Sequence, residues 1–224
     1  MEGVKQDLTI GADLIIFDLD GTLIDSSEDI ARAANMTLRA MGYGEQGMES
    51  IKENIGWGVK ALLERLMPRE GPGRVEEARG KFLDFYGKHL VVDTYPYPNV
   101  RETLSRFKEL NKTMAVVTNK PVMLAQRILD LLDLSGFFVM VVGGDSFSYR
   151  KPHPEPIKKV VSALGAAPDR TVLIGDSPID CEAGMSAGVN TVGVSYGFRG
   201  TQDLKMAGCS IIVDDFQELV DIIR

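Results

Sequence analysis

The chain has 224 residues, a formal net charge of -7 at pH 7 and 44% hydrophobic residues, which is typical of one large globular domain or of one domain with a smaller insert. The acidic balance argues against a nucleic-acid partner, because phosphates would be repelled, and no apolar run approaches the roughly 18 residues of a membrane-spanning helix. The N-terminus has no basic region followed by a long apolar one, so we expect no signal peptide and a cytoplasmic protein. We also expect a monomer or homodimer with no nucleic-acid or membrane partner.

Short apolar runs predict the strands, because they are rich in Val, Ile, Leu and Phe without strict alternation, as in strands covered on both faces. The six runs are Leu14–Phe17, Met114–Val117, Phe138–Val142, Thr171–Ile174, Thr191–Val194 and Ser210–Val213. Helix-like segments separate most of them. This alternation predicts an α/β fold, with a Rossmann-like parallel sheet and helices on both faces.

Two of these helices have clear start signals. Ser177 is followed by Pro178, and proline suits the first position of a helix. Asn99 precedes Glu102 by three residues, which is the spacing of a capping box. We therefore expect helices to begin at both places.

Residues 26–93 interrupt the alternation and contain no convincing strand. Three helices are predicted there, over Ser26–Met41, Val59–Met67 and Arg74–Val91. The segment Thr94–Val100 is expected to be a return linker, because its prolines discourage a helix. The predicted domains are an α/β core of residues 1–25 and 94–224 and a small inserted helical cap domain of residues 26–93.

The cysteines and histidines are few. Cys181 and Cys209 form no CxxC pair, so we expect both to be reduced thiols in a cytosolic protein. His89 and His153 are too few for a zinc site.

Polar side chains follow several of the predicted strands, and ligands of open parallel sheets bind beyond the carboxyl ends of the strands. These side chains are Asp18 and Asp20, Thr118 and Asn119, Lys151, and Asp176 and Ser177. Each alone is typical of a turn or a helix cap. Together, three carboxylates require a cation, whereas a hydroxyl, an amide and a lysine suit an anion. Ligand sets made only of oxygen favour Mg²⁺.

The same residues resemble the motifs of the haloacid dehalogenase superfamily. The matching segments are FDLDGTL (Phe17–Leu23), VVTN (Val116–Asn119), Lys151 in KPHPEP and GDSPID (Gly175–Asp180). The helical insert after the first motif resembles the cap of one family subgroup. The resemblance implies a Mg²⁺-dependent phosphatase acting on a small phosphorylated metabolite, with 2-phosphoglycolate as the expected substrate. A sugar-phosphate phosphatase and a β-phosphoglucomutase-like mutase share several of these features.

The resemblance also implies roles for the three aspartates. Asp18 is the expected nucleophile, which forms an aspartyl-phosphate. Asp20 is the expected general acid and base, so its carboxyl must carry a proton when the alcohol leaves. Asp18, the main-chain oxygen of Asp20, and Asp176 are the expected metal ligands.

Four further residues are expected to bind or support the phosphoryl group. Thr118, Asn119 and Lys151 would bind its oxygens, by resemblance to the family. Asp180 would hold a metal-bound water or orient Lys151.

In the insert, Gly56 and Gly58 would present main-chain N–H groups to the substrate, and Trp57 would close over it. Lys60 would reach a substrate carboxylate. A plain loop and a surface lysine are the alternatives for these residues. The non-enzymatic alternative is a phospho-acceptor signalling domain, although its acceptor typically follows a middle strand and has no cap.

Overall fold

A computed structural model describes residues 9–224 of the chain. The strands are β1 (Leu14–Phe17), β2 (Ile24–Asp25), β3 (Tyr95–Pro96), β4 (Thr113–Val117), β5 (Met140–Val142), β6 (Thr171–Gly175), β7 (Asn190–Val194) and β8 (Ile211–Val213). The α-helices are α1 (Ser27–Ala40), α2 (Met48–Lys52), α3 (Val59–Leu66), α4 (Pro72–Lys88), α5 (Val100–Glu109), α6 (Val122–Leu131), α7 (Glu155–Ala163), α8 (Pro178–Ala187), α9 (Thr201–Met206) and α10 (Leu219–Ile222). Short 3-10 turns lie at Ser135–Phe137, Pro168–Arg170 and Phe216–Glu218.

Six strands form one parallel sheet in the order β5-β4-β1-β6-β7-β8. All six predicted strands are confirmed, and their observed ends differ by at most two residues. Phe17 in β1 pairs with Val116 in β4 and with Ile174 in β6. The carboxyl ends of these three neighbouring strands therefore lie level at one edge of the sheet.

Both faces of the sheet are buried, as the apolar runs predict. Ile15 and Phe17 of β1 belong to the core that includes α5 and α6, whereas Leu14 and Ile16 belong to the core that includes α7 and α8. Phe17 packs edge-on against Phe138, with ring centroids 6.1 Å apart. Burying a side chain of this size contributes about 1.5–3 kcal/mol. The predicted α/β class and the helices on both faces are confirmed.

The four helices between β2 and β3, here called the helical insert (residues 26–93), pack on one another through α1, α3 and α4. The three predicted helices are present, and α2 was not predicted. The buried carboxylate of Asp29 in α1 accepts N–H groups of Val92, Asp93 and Thr94 at 2.9–3.0 Å. Burial opposes its charge, but these donors and the Thr94 hydroxyl hold the pKa of Asp29 below its usual range. Asp29 thereby fastens the end of the insert to its beginning.

The two helix-start predictions have different outcomes. The helix α8 begins at Pro178, as the Ser-Pro pair predicts, and Ser177 and Asp180 also form a capping box there, which was not predicted. The capping box predicted at Asn99 is wrong, although α5 begins there. Asn99 has a left-handed backbone with φ of 62°, and its side chain donates to the Asp215 carboxylate instead.

The prediction of reduced cysteines is also wrong, because Cys181 and Cys209 form a disulfide with their Cα atoms 5.7 Å apart. The bond joins α8 to the turn between α9 and β8. The two residues are 28 positions apart, and β7 and α9 bring them together in one small buried cluster with Leu204. Within residues 9–224, no helix combines the length and the apolar character needed to span a bilayer.

Candidate active site

The aligned strand ends bring the expected side chains together. Asp18 follows β1, Thr118 follows β4 and Asp176 follows β6, and all three are buried. Lys151 enters from the loop between β5 and α7 and is also buried. The polar residues that follow separate strands therefore line one site.

Three buried carboxylates form the centre of this site. Asp18, Asp176 and Asp180 each offer an oxygen within 4.8 Å of the others. Lys151 Nζ lies 2.9 Å from Asp18 Oδ1 and 2.7 Å from Asp180 Oδ1. The other oxygen of Asp180 accepts the Ser177 N–H at 3.2 Å and the Ser177 hydroxyl at 2.7 Å. The capping box therefore fixes the carboxylate that holds Lys151.

In this cluster, burial and the excess of carboxylates over positive charges together shift the pKa values of the acids. Burial raises the pKa of Asp18 to about 6, although Lys151 acts against this shift. Burial, together with the charges of Asp180 and Asp18, raises the pKa of Asp176 well above its usual value. Burial would lower the pKa of Lys151, but Asp18 and Asp180 raise it, so Lys151 stays charged. One lysine thus faces three acids.

The surroundings of Asp176 fit a bound cation. Its Oδ2 accepts the Phe198 N–H at 2.7 Å, and within residues 9–224 no basic side chain forms an ion pair with it. Two glycines allow the main chain to approach this carboxylate closely: a Cβ on Gly21 would lie 2.3 Å from Oδ2, and one on Gly197 would lie 2.3 Å from the Asp176 Cβ. Donors that are all oxygen suit a hard divalent cation, so the residues present fit such an ion.

Asp20 does not join the three-carboxylate cluster. Its Oδ1 accepts the Ser26 hydroxyl at 2.5 Å and pairs with Lys120 Nζ at 2.5 Å. Asp20 nevertheless lines the same cavity as Asp18. The two aspartates of the first motif therefore have different partners, which suits two different roles.

Lys120 is a buried site residue that sequence reasoning missed. Besides Asp20, its Nζ donates to the Tyr86 hydroxyl of α4 at 2.9 Å. Burial would lower the pKa of Lys120, but Asp20 and Tyr86 raise it. The one available signal was its position directly after the Thr118–Asn119 pair at a strand end.

Asn119 has a different contact from the expected one. Its side-chain nitrogen donates to the Gly56 carbonyl and to the Lys151 carbonyl, each at 2.9 Å. Both amide protons are therefore used on main-chain carbonyls. The side chain joins the Gly56–Gly58 loop of the insert to the Lys151 loop. Thr118 Oγ1 accepts the Lys120 N–H at 3.2 Å.

A cavity lies between the sheet edge and the helical insert, and polar core residues face a mainly apolar wall across it. It is lined by Asp18, Asp20, Ile30, Asn54, Ile55, Gly56, Gly58, Val59, Leu62, Phe82, Tyr86, Thr118, Asn119, Lys120, Pro121 and Leu124. A small ligand with a charged end and little other polar surface fits this lining best.

Two of the four predicted residues of the insert do not line this cavity. Gly56 and Gly58 border it with φ of 102° and 86°, in the left-handed region that favours glycine. Trp57 instead borders a separate outer pocket, and the guanidinium of Arg65 lies 4.8 Å from the centre of its ring. Lys60 is half exposed and lies 3.9 Å from Glu64. The structure therefore does not bring Trp57 and Lys60 to the carboxylate cluster.

Arg199 is a second residue that sequence reasoning missed. Its guanidinium donates to the carbonyls of Lys52, Glu53 and Ile55 at 3.2, 2.7 and 3.0 Å. The preceding residue, Phe198, donates to Asp176. One segment after β7 therefore touches both the carboxylate cluster and the insert.

Comparisons with known proteins agree with this geometry. A family model for haloacid dehalogenase-like hydrolases matches residues 15–194. The chain therefore belongs to the haloacid dehalogenase-like hydrolase family, and it is a hydrolase of the phosphatase type.

Its relatives include phosphoglycolate phosphatases. The one from Aquifex aeolicus is 40% identical over 189 residues, which cover 83% of this chain and 85% of that protein. The one from Psychrobacter arcticus is 36% identical over 220 residues, covering 93% of this chain and 94% of that protein. The crystal structure of a predicted phosphoglycolate phosphatase from Haemophilus somnus has a TM-score of 0.89 at 32% identity, covering 95% of this chain and 98% of that one.

Proposed function

We propose that this enzyme is a Mg²⁺-dependent phosphatase that hydrolyses a small phosphate monoester, 2-phosphoglycolate above others, through an aspartyl-phosphate on Asp18. The observation that carries the proposal is the buried cluster in which Lys151 contacts Asp18 and Asp180 while Asp176 lies beside them. The names of the relatives support the choice of substrate. The helical insert would act as a cap over this site.

Asp18 is suited to be the nucleophile. Its Oδ1 is fixed by Lys151 at 2.9 Å and by the Leu19 N–H at 2.7 Å. Its Oδ2 has no hydrogen-bond partner among residues 9–224, which leaves it free to attack phosphorus. The new Asp18–phosphorus bond forms as the ester bond breaks, and hydrolysis is divided into two easier steps.

Asp20 is suited to move the proton because it lines the same cavity from another direction. In the first step it gives a proton to the departing alkoxide. In the second step it takes a proton from the water that attacks the aspartyl-phosphate, and inorganic phosphate leaves. The net reaction consumes one ester and one water.

The remaining residues stabilise charge. Lys151 neutralises part of the charge on the phosphoryl oxygens, and Thr118 lies at the neighbouring strand end to bind them. A divalent cation held by Asp18, Asp176 and the main-chain oxygen of Asp20 would supply positive charge that lets the phosphate dianion approach a carboxylate. The insert would exclude water around these groups.

A panel of small phosphate esters tests the proposal, with phosphate release measured in Mg²⁺ and in excess EDTA. We expect release only with Mg²⁺ and the highest kcat/KM for 2-phosphoglycolate. Asp18→Asn should lower the rate by at least about 10³-fold. If kcat/KM for 2-phosphoglycolate is lower than for several sugar phosphates, the proposed substrate is wrong. If Asp18→Asn keeps full activity, the proposed mechanism is wrong.

A further inference from the structure

The cavity between the core and the helical insert has one cationic side chain among its described lining residues, and that side chain is Lys120. Only 4% of it is exposed, and its Nζ lies between Asp20 of the core and Tyr86 of the insert. A buried lysine is costly unless it is paired, and the Asp20 carboxylate pairs with this one.

Two hydrogen-bond donors at this position are unused. An ammonium group has three N–H donors, and Lys120 uses one on Asp20 and one on the Tyr86 oxygen. Tyr86 accepts from Lys120, and among residues 9–224 its own O–H proton has no acceptor. Burial, with Lys120 acting against it, raises the pKa of Tyr86 to about 12, so the hydroxyl keeps its proton. One N–H and one O–H are therefore available side by side.

We propose that Lys120 and Tyr86 form the subsite that recognises the carboxylate of the substrate and thereby select phosphate esters of small 2-hydroxy acids. The inference rests on the proposed phosphatase function and deepens it. The two free donors match the two oxygens of one carboxylate. The apolar wall formed by Leu62, Phe82 and Leu124 strengthens this contact, because few waters compete there.

The position of the pair fits such a substrate. A group that leaves from phosphorus must lie near Asp20 to receive a proton, and Lys120 is in direct contact with Asp20. In 2-phosphoglycolate the carboxylate carbon is bonded to the carbon that carries the ester oxygen. A substrate that presents its ester oxygen to Asp20 therefore has its carboxylate within reach of Lys120. The larger hydroxyl-rich body of a sugar phosphate would instead face the apolar wall.

Because Lys120 belongs to the core and Tyr86 to the insert, a carboxylate bound by both would also hold the two parts together. Lys60 does not compete for this role, since it is half exposed, pairs with Glu64 and does not line the cavity. Recognition by Lys120 and Tyr86 predicts that substrate preference depends on residues from both parts of the molecule.

The test compares two substrates that differ only at this end: 2-phosphoglycolate and 2-hydroxyethyl phosphate, in which a CH₂OH group replaces the carboxylate. For the parent enzyme with Mg²⁺, we expect kcat/KM to favour 2-phosphoglycolate by about 30-fold or more. Lys120→Met should reduce this ratio to near one, mainly by raising KM for 2-phosphoglycolate, and Tyr86→Phe should reduce it in part. Lys120→Arg, which keeps the charge, should retain part of the preference.

Lys60→Met and Lys108→Met are the controls, because both remove an exposed lysine that does not line the cavity. Both should keep the parent ratio. If Lys120→Met lowers kcat/KM for both substrates by the same factor, Lys120 only positions Asp20 and the inference is wrong. A loss of the ratio in Lys60→Met would overturn it equally.

Two measurements keep the test decisive. If Lys120→Met does not fold, competition in the parent enzyme replaces it: glycolate should inhibit competitively and ethylene glycol should not, whereas equal inhibition contradicts the inference. If the parent hydrolyses neither substrate, the proposed function fails. Calorimetric binding of the same two phosphate esters to the parent and to Lys120→Met then tests the subsite without turnover. If the two proteins bind 2-phosphoglycolate with equal affinity, the inference is wrong.

Discussion

Gly21 follows the two aspartates at the end of β1 and packs directly against Asp176. Its φ of 83° lies in the left-handed region, and a Cβ there would lie 2.3 Å from Asp176 Oδ2. Gly42 has a similar φ of 85° but no atom within 4 Å of an added Cβ. Substitutions at these two positions therefore distinguish the effect of left-handed backbone strain from the effect of a collision with the Asp176 carboxylate.

We expect Gly21→Ala to reduce phosphate release by at least about 10²-fold, because the carboxylate of Asp176 must move and electrostatic contacts are lost. Gly42→Ala carries only the left-handed strain, about 1–2 kcal/mol, and should keep its activity per folded molecule. Urea unfolding and phosphate release measured on both variants check this. Equal activities for the two variants would show that Asp176 tolerates the displacement.

The proposed cation would be held by buried aspartates, so its binding should depend on pH. The folded-state pKa of Asp18 is raised from 3.8 to about 6 by burial, and that of Asp176 is raised as well. In the metal-free protein, the stability from protonated Asp18 is present below 3.8 and lost as the pH rises through about 6. A cation binds the deprotonated carboxylates, so protons compete with it below that pH.

We therefore expect the rise in Tm caused by Mg²⁺ to be larger at about pH 7.5 than at about pH 5. Thermal unfolding of EDTA-treated protein, with and without added Mg²⁺, measures this difference. Asp18→Asn is the comparison, since it removes one of the titrating ligands and should weaken the dependence. The same rise at both pH values would contradict the assignment of these carboxylates as ligands.

At the scale of elements, Arg199 links the segment after β7 to the end of α2. Its donors satisfy the carbonyls of Lys52, Glu53 and Ile55, which terminate a short helix at the edge of the cavity. This contact fixes the insert loop that leads into Gly56. Because the neighbouring Phe198 N–H holds Asp176, one segment positions both the insert and a proposed metal ligand.

Removing this link should affect the fit of the substrate. We expect Arg199→Ala to raise KM about 10-fold or more and to lower the free energy of unfolding by about 1–3 kcal/mol, because carbonyls lose charged donors. Arg170→Ala, which removes an exposed pair with Asp13, is the matched control and should leave the free energy of unfolding almost unchanged, because solvent screens that pair. An unchanged KM in Arg199→Ala would mean that the insert loop is held by other contacts.

At the scale of the whole molecule, features with a local signal were predictable and features made by distant contacts were not. The buried strands and the helix start at Ser177 follow from the residue types over a few positions. Lys120 contacts Tyr86, which lies 34 positions earlier in the sequence, and Arg199 binds main-chain carbonyls about 150 positions away. No local sequence pattern indicates contacts over such separations. The Asn99 prediction failed because a side chain with capping chemistry bonded to a distant partner.

The disulfide is the clearest such long-range feature, and it bears on global stability. Cys181 and Cys209 close a loop across a separation of 28 residues, which lowers the entropy of the unfolded chain. For a loop of this length, the chain-entropy relation gives about 3–4 kcal/mol. Reduction should therefore lower Tm by about 10 °C in a chain of this size.

Thermal unfolding after equilibration with a reductant measures this effect, and Cys209→Ser, which cannot form the bond, should unfold at the reduced temperature under both conditions. Phosphate release should continue after reduction, because neither sulfur lines the catalytic cavity and Asp180 remains held by its Ser177 capping box. Unfolding curves that coincide with and without reductant, or two free thiols titrated in protein purified without reductant, would contradict a bond that stabilises the fold.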